Sequence, residues 1–319
     1  MKAFAVLAAL ALGLSPLVAN AAPYYQNDFE ADTSASWAIN NGPSDSAADF
    51  FFDYSTVGIP SAPNSSGGST RGMKLQANQS LGMFSGMSVS PTGQSFSGDY
   101  ALTFDWWANF NGPFPAGGNG STQLSTYGIG TSGGVAQWPG ATHESVWFGA
   151  TGDGGSSADW RAYSSAAVSG YQDTSGVYAA GSVTGSRNSS NAYYAGFGGN
   201  SAPAAQVALY AQQTGATAAG SAGMEWHQVR IDKIGNLATW KVDDVLIATI
   251  DLNTVSLGGG NIFFGHSDIN ATSSSDPNDS ALLFTLVDNV AVVPEPGTLS
   301  VLGAGIVPLL LGLRRRSAR

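Results

Sequence analysis

The run from Trp226 to Ile250, WHQVRIDKIGNLATWKVDDVLIATI, decides the fold class. Trp226, Gln228 and Arg230 alternate with His227, Val229 and Ile231, the period of two that sends successive side chains to opposite faces of a strand. Gly235-Asn236 then predicts a tight turn into a strand over Leu237 to Val242. Asp243-Asp244 predicts a second turn into Val245 to Ile250. Consecutive hairpins of this kind make an antiparallel meander.

Outward from that run, a glycine turn leads to a strand at Asn261 to Phe264, an acidic loop from Ser267 to Asp279, and a last strand from Leu282 to Val293. On the other side, Ser164 to Gly223 is mostly Ala, Ser, Gly, Asn and Tyr and predicts a loop-rich insertion. Its tyrosines, among them Tyr171, Tyr178, Tyr193, Tyr194 and Tyr210, supply something to bury and argue against a disordered linker. Further upstream Ala101 to Ala108 alternates, with Leu102, Phe104 and Trp106 on one face and Thr103, Asp105 and Trp107 on the other. Ser145 to Gly149, Arg71 to Leu75 and Ser80 to Phe84 predict further short strands. Gly58 to Gly72 is a turn-rich loop, because its prolines fix φ and its glycines free it. No amphipathic helical pattern is present, so the domain is expected to be almost entirely β.

The residues Trp226-His227-Gln228-Val229-Arg230, Trp240-Lys241-Val242-Asp243-Asp244 and Gly258 to Gly265 resemble the laminin-G and concanavalin A-like family. That family's hairpin turn is usually Asp-Gly, and here it is Asp243-Asp244. The resemblance covers Met224 to Val293. It implies an antiparallel β-sandwich of jelly-roll type, a fold that serves many purposes and so says little about function.

The two ends predict where the chain goes. Lys2, the apolar stretch Ala3 to Val18 and the small-residue site Ala19-Asn20-Ala21 read as a secretory signal peptide over residues 1–21. That stretch is also long enough for an uncleaved anchor, and the small-residue site favours removal. Residues 294–319 carry Pro294-Glu295-Pro296, an uncharged run from Thr298 to Leu313, and the cluster Arg314, Arg315 and Arg316. A helix through that run would measure about 24 Å, a little short of the ~30 Å hydrocarbon core. The arginines predict that the preceding chain lies outside the membrane. This ordered triplet resembles the PEP-CTERM sorting signal of bacteria that make exopolysaccharide. The resemblance implies an exosortase partner, a C-terminal membrane helix, and delivery to the cell surface or extracellular matrix of a Gram-negative-type bacterium.

Between those ends, residues 22–293 form a candidate single domain of about 270 residues. Setting aside Lys2, Glu295 and the four tail arginines leaves 7 basic against 21 acidic residues, a net charge of −14. So acidic a surface repels nucleic acid and anionic lipid. The chain has no cysteine, so the fold rests on its core or on bound ions.

Catalytic signals are sparse. The domain's three glutamates, Glu30, Glu144 and Glu225, are far apart, and the Glu-x-Asp-x-(x)-Glu strand that sends two carboxylates to one face is absent. His143-Glu144 is the nearest acid/base pair, but adjacent residues on a strand point apart. His227 is expected to pack or cap within the meander. Structural calcium is the one cofactor the residues suggest: Asp28 and Glu30 near the first strand and Asp288 and Asn289 on the last would converge if those strands are neighbours. Asp268, Asn270, Asp276, Asn278 and Asp279 form a second candidate, and both sets read equally as turn formers. Trp107, Trp138, Trp160 and Tyr163 are candidate platforms for a sugar, set against the tendency of tryptophan to lie in a sandwich core. The leading expectation is a non-enzymatic surface or matrix protein binding carbohydrate such as exopolysaccharide. A polysaccharide hydrolase or lyase and a purely structural matrix protein are the alternatives.

Overall fold

The computed structural model describes residues 22–295 apart from 44, 80–81, 116–121, 142–143 and 271–275. The predicted signal peptide, Pro296, the apolar run, Arg314, Arg315, Arg316 and His143 lie outside the described residues. Pro23–Glu295 forms one compact unit.

Among the described residues fourteen strands make two antiparallel sheets. The larger sheet contains β1 (Tyr25–Asn27), β3 (Ser46–Asp53), β4 (Arg71–Ala77), β6 (Tyr100–Asn109), β10 (Trp226–Ile234), β11 (Leu237–Val242), β12 (Val245–Asp251) and β14 (Phe284–Pro294). Its order is β12-β11-β10-β6-β14-β4-β3, with β1 also on β14. The smaller sheet is β2 (Trp37–Asn41), β5 (Ser85–Pro91), β13 (Asn261–Asp268), β7 (Gln123–Thr131), β8 (Val146–Thr151) and β9 (Trp160–Tyr163), in that spatial order. The chain crosses between sheets after β1, β2, β4, β5, β6, β9, β12 and β13, so each sheet's centre is built from strands distant in sequence. This is a jelly-roll sandwich.

The meander that decided the class is present as β10, β11 and β12. Asp243 and Asp244 have φ of 48° and 63°, the left-handed pair that a two-residue hairpin requires. Asp243 fits there because its carboxylate is reused: Oδ1 accepts from the Gln228 amide at 2.8 Å, and Oδ2 lies 2.6 Å from His227 Nδ1. His227 Nε2 lies 2.9 Å from the Ala222 carbonyl, so both ring nitrogens face acceptors and the histidine is a structural clasp.

Alternation holds along β6. Leu102, Phe104 and Trp106 enter the core between the sheets, where Phe104 meets Phe264 edge-on at 4.9 Å. Asp105 and Trp107 point to the outer face of the larger sheet, and that face is covered. Residues 54–70 lie on it, with Trp226 donating from Nε1 to the Pro60 carbonyl at 2.8 Å. Beside them sits a short helix, α1 (Ala204–Leu209), whose Gln206 Nε2 reaches the Val57 carbonyl at 3.0 Å. Gly58, at φ 74°, lies directly beneath it, and a Cβ there would come within 2.3 Å of the Gln206 nitrogen.

The insertion after β9 has no named strand before β10. It contributes 3-10 turns, α1, and an edge contact in which the Ala179 amide donates to the Ile247 carbonyl of β12 at 2.9 Å. Two expectations are corrected. Among the described residues there are two short named α-helices, α1 and α2 (Asp279–Leu282), which are too brief to show a 3.6-residue period. The strand expected at Ser80 to Phe84 instead begins at Ser85, directly after it, where the backbone first finds ladder partners on β2 and β13. No helix among the described residues is long and apolar enough to cross a membrane.

Candidate functional site

The most unusual backbone in the larger sheet is in the middle of β14. Asp288 is in register with Asp105 on β6, and Ala291 with Thr103, so β14 carries one extra residue across that interval. Val287 and Val290 both face the core, which leaves Asp288 and Asn289 together on the outer side. Asn289 takes the strain at φ 53°, a region asparagine tolerates better than most residues.

The bulge has two consequences. First, it places Asp288 against Asp105, both fully buried at 0 % exposure. Asp288 Oδ1 accepts from the Asn289 amide at 2.7 Å, and Oδ2 accepts from Ser65 Oγ at 2.7 Å and Tyr54 Oη at 3.1 Å. Asp105 Oδ1 accepts from Asn64 Nδ2 at 2.7 Å, while Oδ2 accepts from the Asn64 amide at 3.1 Å and Asn289 Nδ2 at 2.9 Å. Every donor is neutral, and among the described residues no lysine or arginine pairs with either carboxylate. Burial is the main influence raising the Asp288 carboxyl, and the Asp105 charge adds to it despite the opposing hydrogen bonds, so it is pushed up to about 7.

Second, β14 changes partner around the bulge. Thr285 to Val287 pair with β4, and Val290 to Val292 pair with β1. A cleft of about 480 Å³ opens at that junction, lined by Tyr25, Asn27, Asp28, Thr33 and Asn289 together with neighbouring residues of β1 and β14. Tyr25 is half-buried and its hydroxyl is raised by that burial, while Asp28 is exposed. Asn289 belongs to both features: it lines the cleft while its Nδ2 bonds Asp105 and Ser65.

The expected calcium quartet is thus divided. The first and last strands are neighbours as the sequence reading required, and Asp28 and Asn289 share the cleft. Glu30 is not part of its lining, and Asp288 is turned beneath residues 54–70 with both oxygens already accepting bonds. These four residues do not fit one calcium ion. In the second set, Asp268 accepts from Asn78 Nδ2 at 2.6 Å, Asp276 from the Asn278 amide at 2.9 Å, and Asp279 from Asn111 Nδ2 at 2.7 Å. Among the described residues no group of three or more His, Cys, Asp or Glu side chains is placed to hold a metal.

The aromatic platforms are corrected by burial. Trp107 lies under α1 and residues 54–70, packed at 5.7 Å from Trp226, with Nε1 donating to Asn109 Oδ1 at 3.0 Å. Trp160 faces the inner core, stacked on Tyr194 at 5.2 Å, and donates to the Gly220 carbonyl at 3.1 Å. Tyr163 stacks on Trp147 at 3.8 Å, and Trp138 packs on Phe84 at 4.9 Å. None of the four presents a ring face to solvent. Sequence reasoning missed Asn64, Ser65 and Tyr54, which reach the site through a loop closure. It also missed Asp105, which alternation placed on the outer face without indicating a partner. The readable clue was Asp288-Asn289, two adjacent polar residues inside an otherwise apolar strand.

No protein-family model and no curated protein matches the chain. Among solved structures it is similar to a protein of unknown function with a galectin-like fold from Bacillus subtilis, at 9 % identity and TM-score 0.41, covering 86 % of this chain and 99 % of that one. It is also similar to the VIP36 exoplasmic/lumenal domain in a form bound to Ca2+ and Man2, at 7 % identity, TM-score 0.42, and 86 % and 89 % coverage. A third is the Bacillus licheniformis β-glucanase, at 9 % identity, TM-score 0.38, and 85 % and 98 % coverage.

Proposed function

We propose that this chain is an exported, non-catalytic β-sandwich of the cell surface or extracellular matrix that binds neutral polysaccharide at the cleft between β1 and β14. The observation that carries this reading is the cleft itself. Its volume lies within the ~300–1,000 Å³ usual for small-ligand sites, and it sets one half-buried tyrosine ring among amide, hydroxyl and carboxylate groups. A sugar ring needs such a mixture, an apolar face for its C–H groups and hydrogen-bonding partners for its hydroxyls. The acidic domain favours a neutral glycan over an anionic one. Export and sorting through Pro294, Glu295 and Pro296, with an exosortase as partner and the arginine-flanked tail as membrane stop, belong to the same proposal. They are supported by the resemblance of the tail and by the position of Pro294 at the end of the last strand.

The test is binding of a panel of purified polysaccharides to the full chain, held in solution with mild detergent. Tyr25→Ala and Asp28→Ala are expected to weaken binding about tenfold or more, Asp28→Ala with an unchanged melting temperature and Tyr25→Ala with a lowered one, because its ring packs on Trp37 and Phe96. Saturable binding unaffected by both substitutions would move the site elsewhere, and no binding by any polysaccharide would leave a structural matrix role. Trp160→Ala serves as a contrast, expected to cost about 3–5 kcal/mol of stability because it empties the core.

A second reading, a glycoside hydrolase, is favoured by one observation: Asp105 and Asp288 converge, and Asp288 is raised as a general acid must be. Against it, both carboxylates are sealed from the cleft and fully engaged with protein donors. Release of reducing ends from any panel polysaccharide, lost in Asp105→Asn, would establish it.

A further inference from the structure

We infer that the β1–β14 cleft is proton-coupled: a proton on Asp288, which stands opposite Asp105, fixes Asn289, and through Asn289 the shape of the cleft. The inference rests on the proposed use of that cleft and adds its regulation.

The geometry carries it. Two carboxylates stand opposite each other on paired strands, are buried, and have only neutral donors around them. Two anions so placed in a weakly polar interior repel strongly, and protonation of Asp288 is the simplest relief. Among the described residues no other charge is positioned to provide it. Residues 54–70 bring Tyr54, Asn64 and Ser65. Of the basic residues on β4, Arg71 is held by Asp53 at 3.4 Å and Lys74 lies over the rings of Phe52 and Phe284. From β10, Gln228 stands in register with Asp105. From the β1 side the facing acid is Asp28, another anion, which lies in the cleft.

Asn289 transmits the state of the pair. Its amide bonds Asp288, its Nδ2 bonds Asp105 and Ser65, and its backbone lines the cleft at the position where β14 passes from one partner strand to another. A second negative charge beside Asp105 therefore pushes on the bulge and on residues 54–70 together. With the Asp288 carboxyl raised to about 7 in the closed state, against ~4 when solvated, closure binds a proton. Closure is then most favoured below pH ~4, weakens by up to about tenfold per pH unit from there to pH ~7, and is level above.

Hydrogen–deuterium exchange of the full chain in mild detergent, corrected for intrinsic rates, reads this without any ligand. Protection of residues 58–70, 23–28 and 288–292 is expected to fall together between pH 4 and pH 7, while the β10–β11 hairpin stays constant. Asp288→Asn is expected to flatten the response and, as a second variant, Asp105→Asn, which removes only the smaller contribution of the facing charge, is expected to move its midpoint to lower pH. A wild-type profile independent of pH overturns the inference. So does loosening of residues 58–70 with residues 23–28 and 288–292 unmoved. In a second arm, mixed-linkage β-glucan is the probe, expected to bind at least tenfold tighter at pH 5 than at pH 8. A glucan that fails at both pH values while the exchange profile titrates removes the glycan-binding reading and leaves the proton coupling standing.

Discussion

Asp232 and Asp288 lie on the same outer face of the larger sheet, and both are buried, yet their charges are met in opposite ways. Asp232, on β10, is clasped by Arg230 Nε at 2.6 Å and Lys241 Nζ at 2.9 Å. Asp288, on β14, faces another carboxylate and a ring of neutral hydroxyls and amides. The first is a carboxylate with its countercharges built in. The second is a charge that the fold tolerates only by holding a proton. A sheet face can thus contain one carboxylate met by two cations and another that meets only neutral donors and a second carboxylate. The difference follows from which strand neighbours the sequence provides: Arg230 and Lys241 beside Asp232, and Asp105 beside Asp288.

The sharpest way to break the comparison is Asp288→Ala. It leaves Tyr54 Oη, Ser65 Oγ and the Asn289 amide without their acceptor in a buried place, and an unmet buried donor costs ~1–3 kcal/mol. The two hydroxyls can turn to other acceptors, Tyr54 Oη already lying 3.1 Å from the Ser69 carbonyl. The expected loss is therefore about 3–4 kcal/mol at pH 5, measured by urea denaturation. A loss below about 1 kcal/mol would show that residues 54–70 are not held by this carboxylate.

A smaller effect comes from pH alone. The folded chain holds the Asp288 proton up to about 7 and the unfolded chain releases it near ~4, so the stabilisation is complete below pH ~4 and gone above pH ~7. Between pH 5 and pH 7 it should decline by on the order of 2–3 kcal/mol. Asp268, raised by burial, acts in the same direction. Asp53 and Asp173 are lowered in part by hydrogen bonds from Ser55 and Gly185, so they favour the fold above pH ~4 and change little in this window. His266, whose imidazole is pushed down to about 3 by burial, acts in the opposite direction, because only the unfolded chain gains its proton below ~6.5; the effect of Asp288 is therefore read as the difference in urea midpoint between the wild type and Asp288→Asn, which should shrink from pH 5 to pH 7 and then level. Equal slopes in the two proteins would remove Asp288 as their source.

The contrast between the two aspartates also marks what the sequence made legible. Around Asp232 almost everything was readable. Alternation from Trp226 onward, the Gly235-Asn236 turn and the Asp243-Asp244 turn set three strands in register, because hairpin pairing is local and each step is fixed by the one before. Around Asp288 little was. Its partner Asp105 is 183 residues away along the chain, and the pairing of β6 with β14 depends on a jelly-roll order that no local period announces. Tyr54, Asn64 and Ser65 arrive in a loop whose composition signals turns without specifying where they land. The sugar platforms failed for a related reason. Trp107 was rightly placed on the outer face, but that face is roofed by α1 and residues 54–70, and a strand pattern cannot report what later chain will cover it.

The smallest effect tests the other aspartate. Arg230 and Lys241 are each about one third exposed, so solvent screens much of their attraction, and a pair of this kind is worth about 0.5–1 kcal/mol. Arg230→Ala also releases Glu295, whose carboxylate it holds at the end of β14. One cation, Lys241, remains on Asp232, so the loss should stay near 1 kcal/mol and shrink further in molar salt. Arg230→Ala combined with Lys241→Ala is the more telling variant. It converts Asp232 into a buried carboxylate without a countercharge, the condition Asp288 already occupies, and so should give the protein a second declining step in its stability as pH rises. If the double variant kept the wild-type pH profile while losing only the small screened contribution, burial of Asp232 would be too shallow to make its ionisation costly. The two aspartates would then differ in depth as well as in partners.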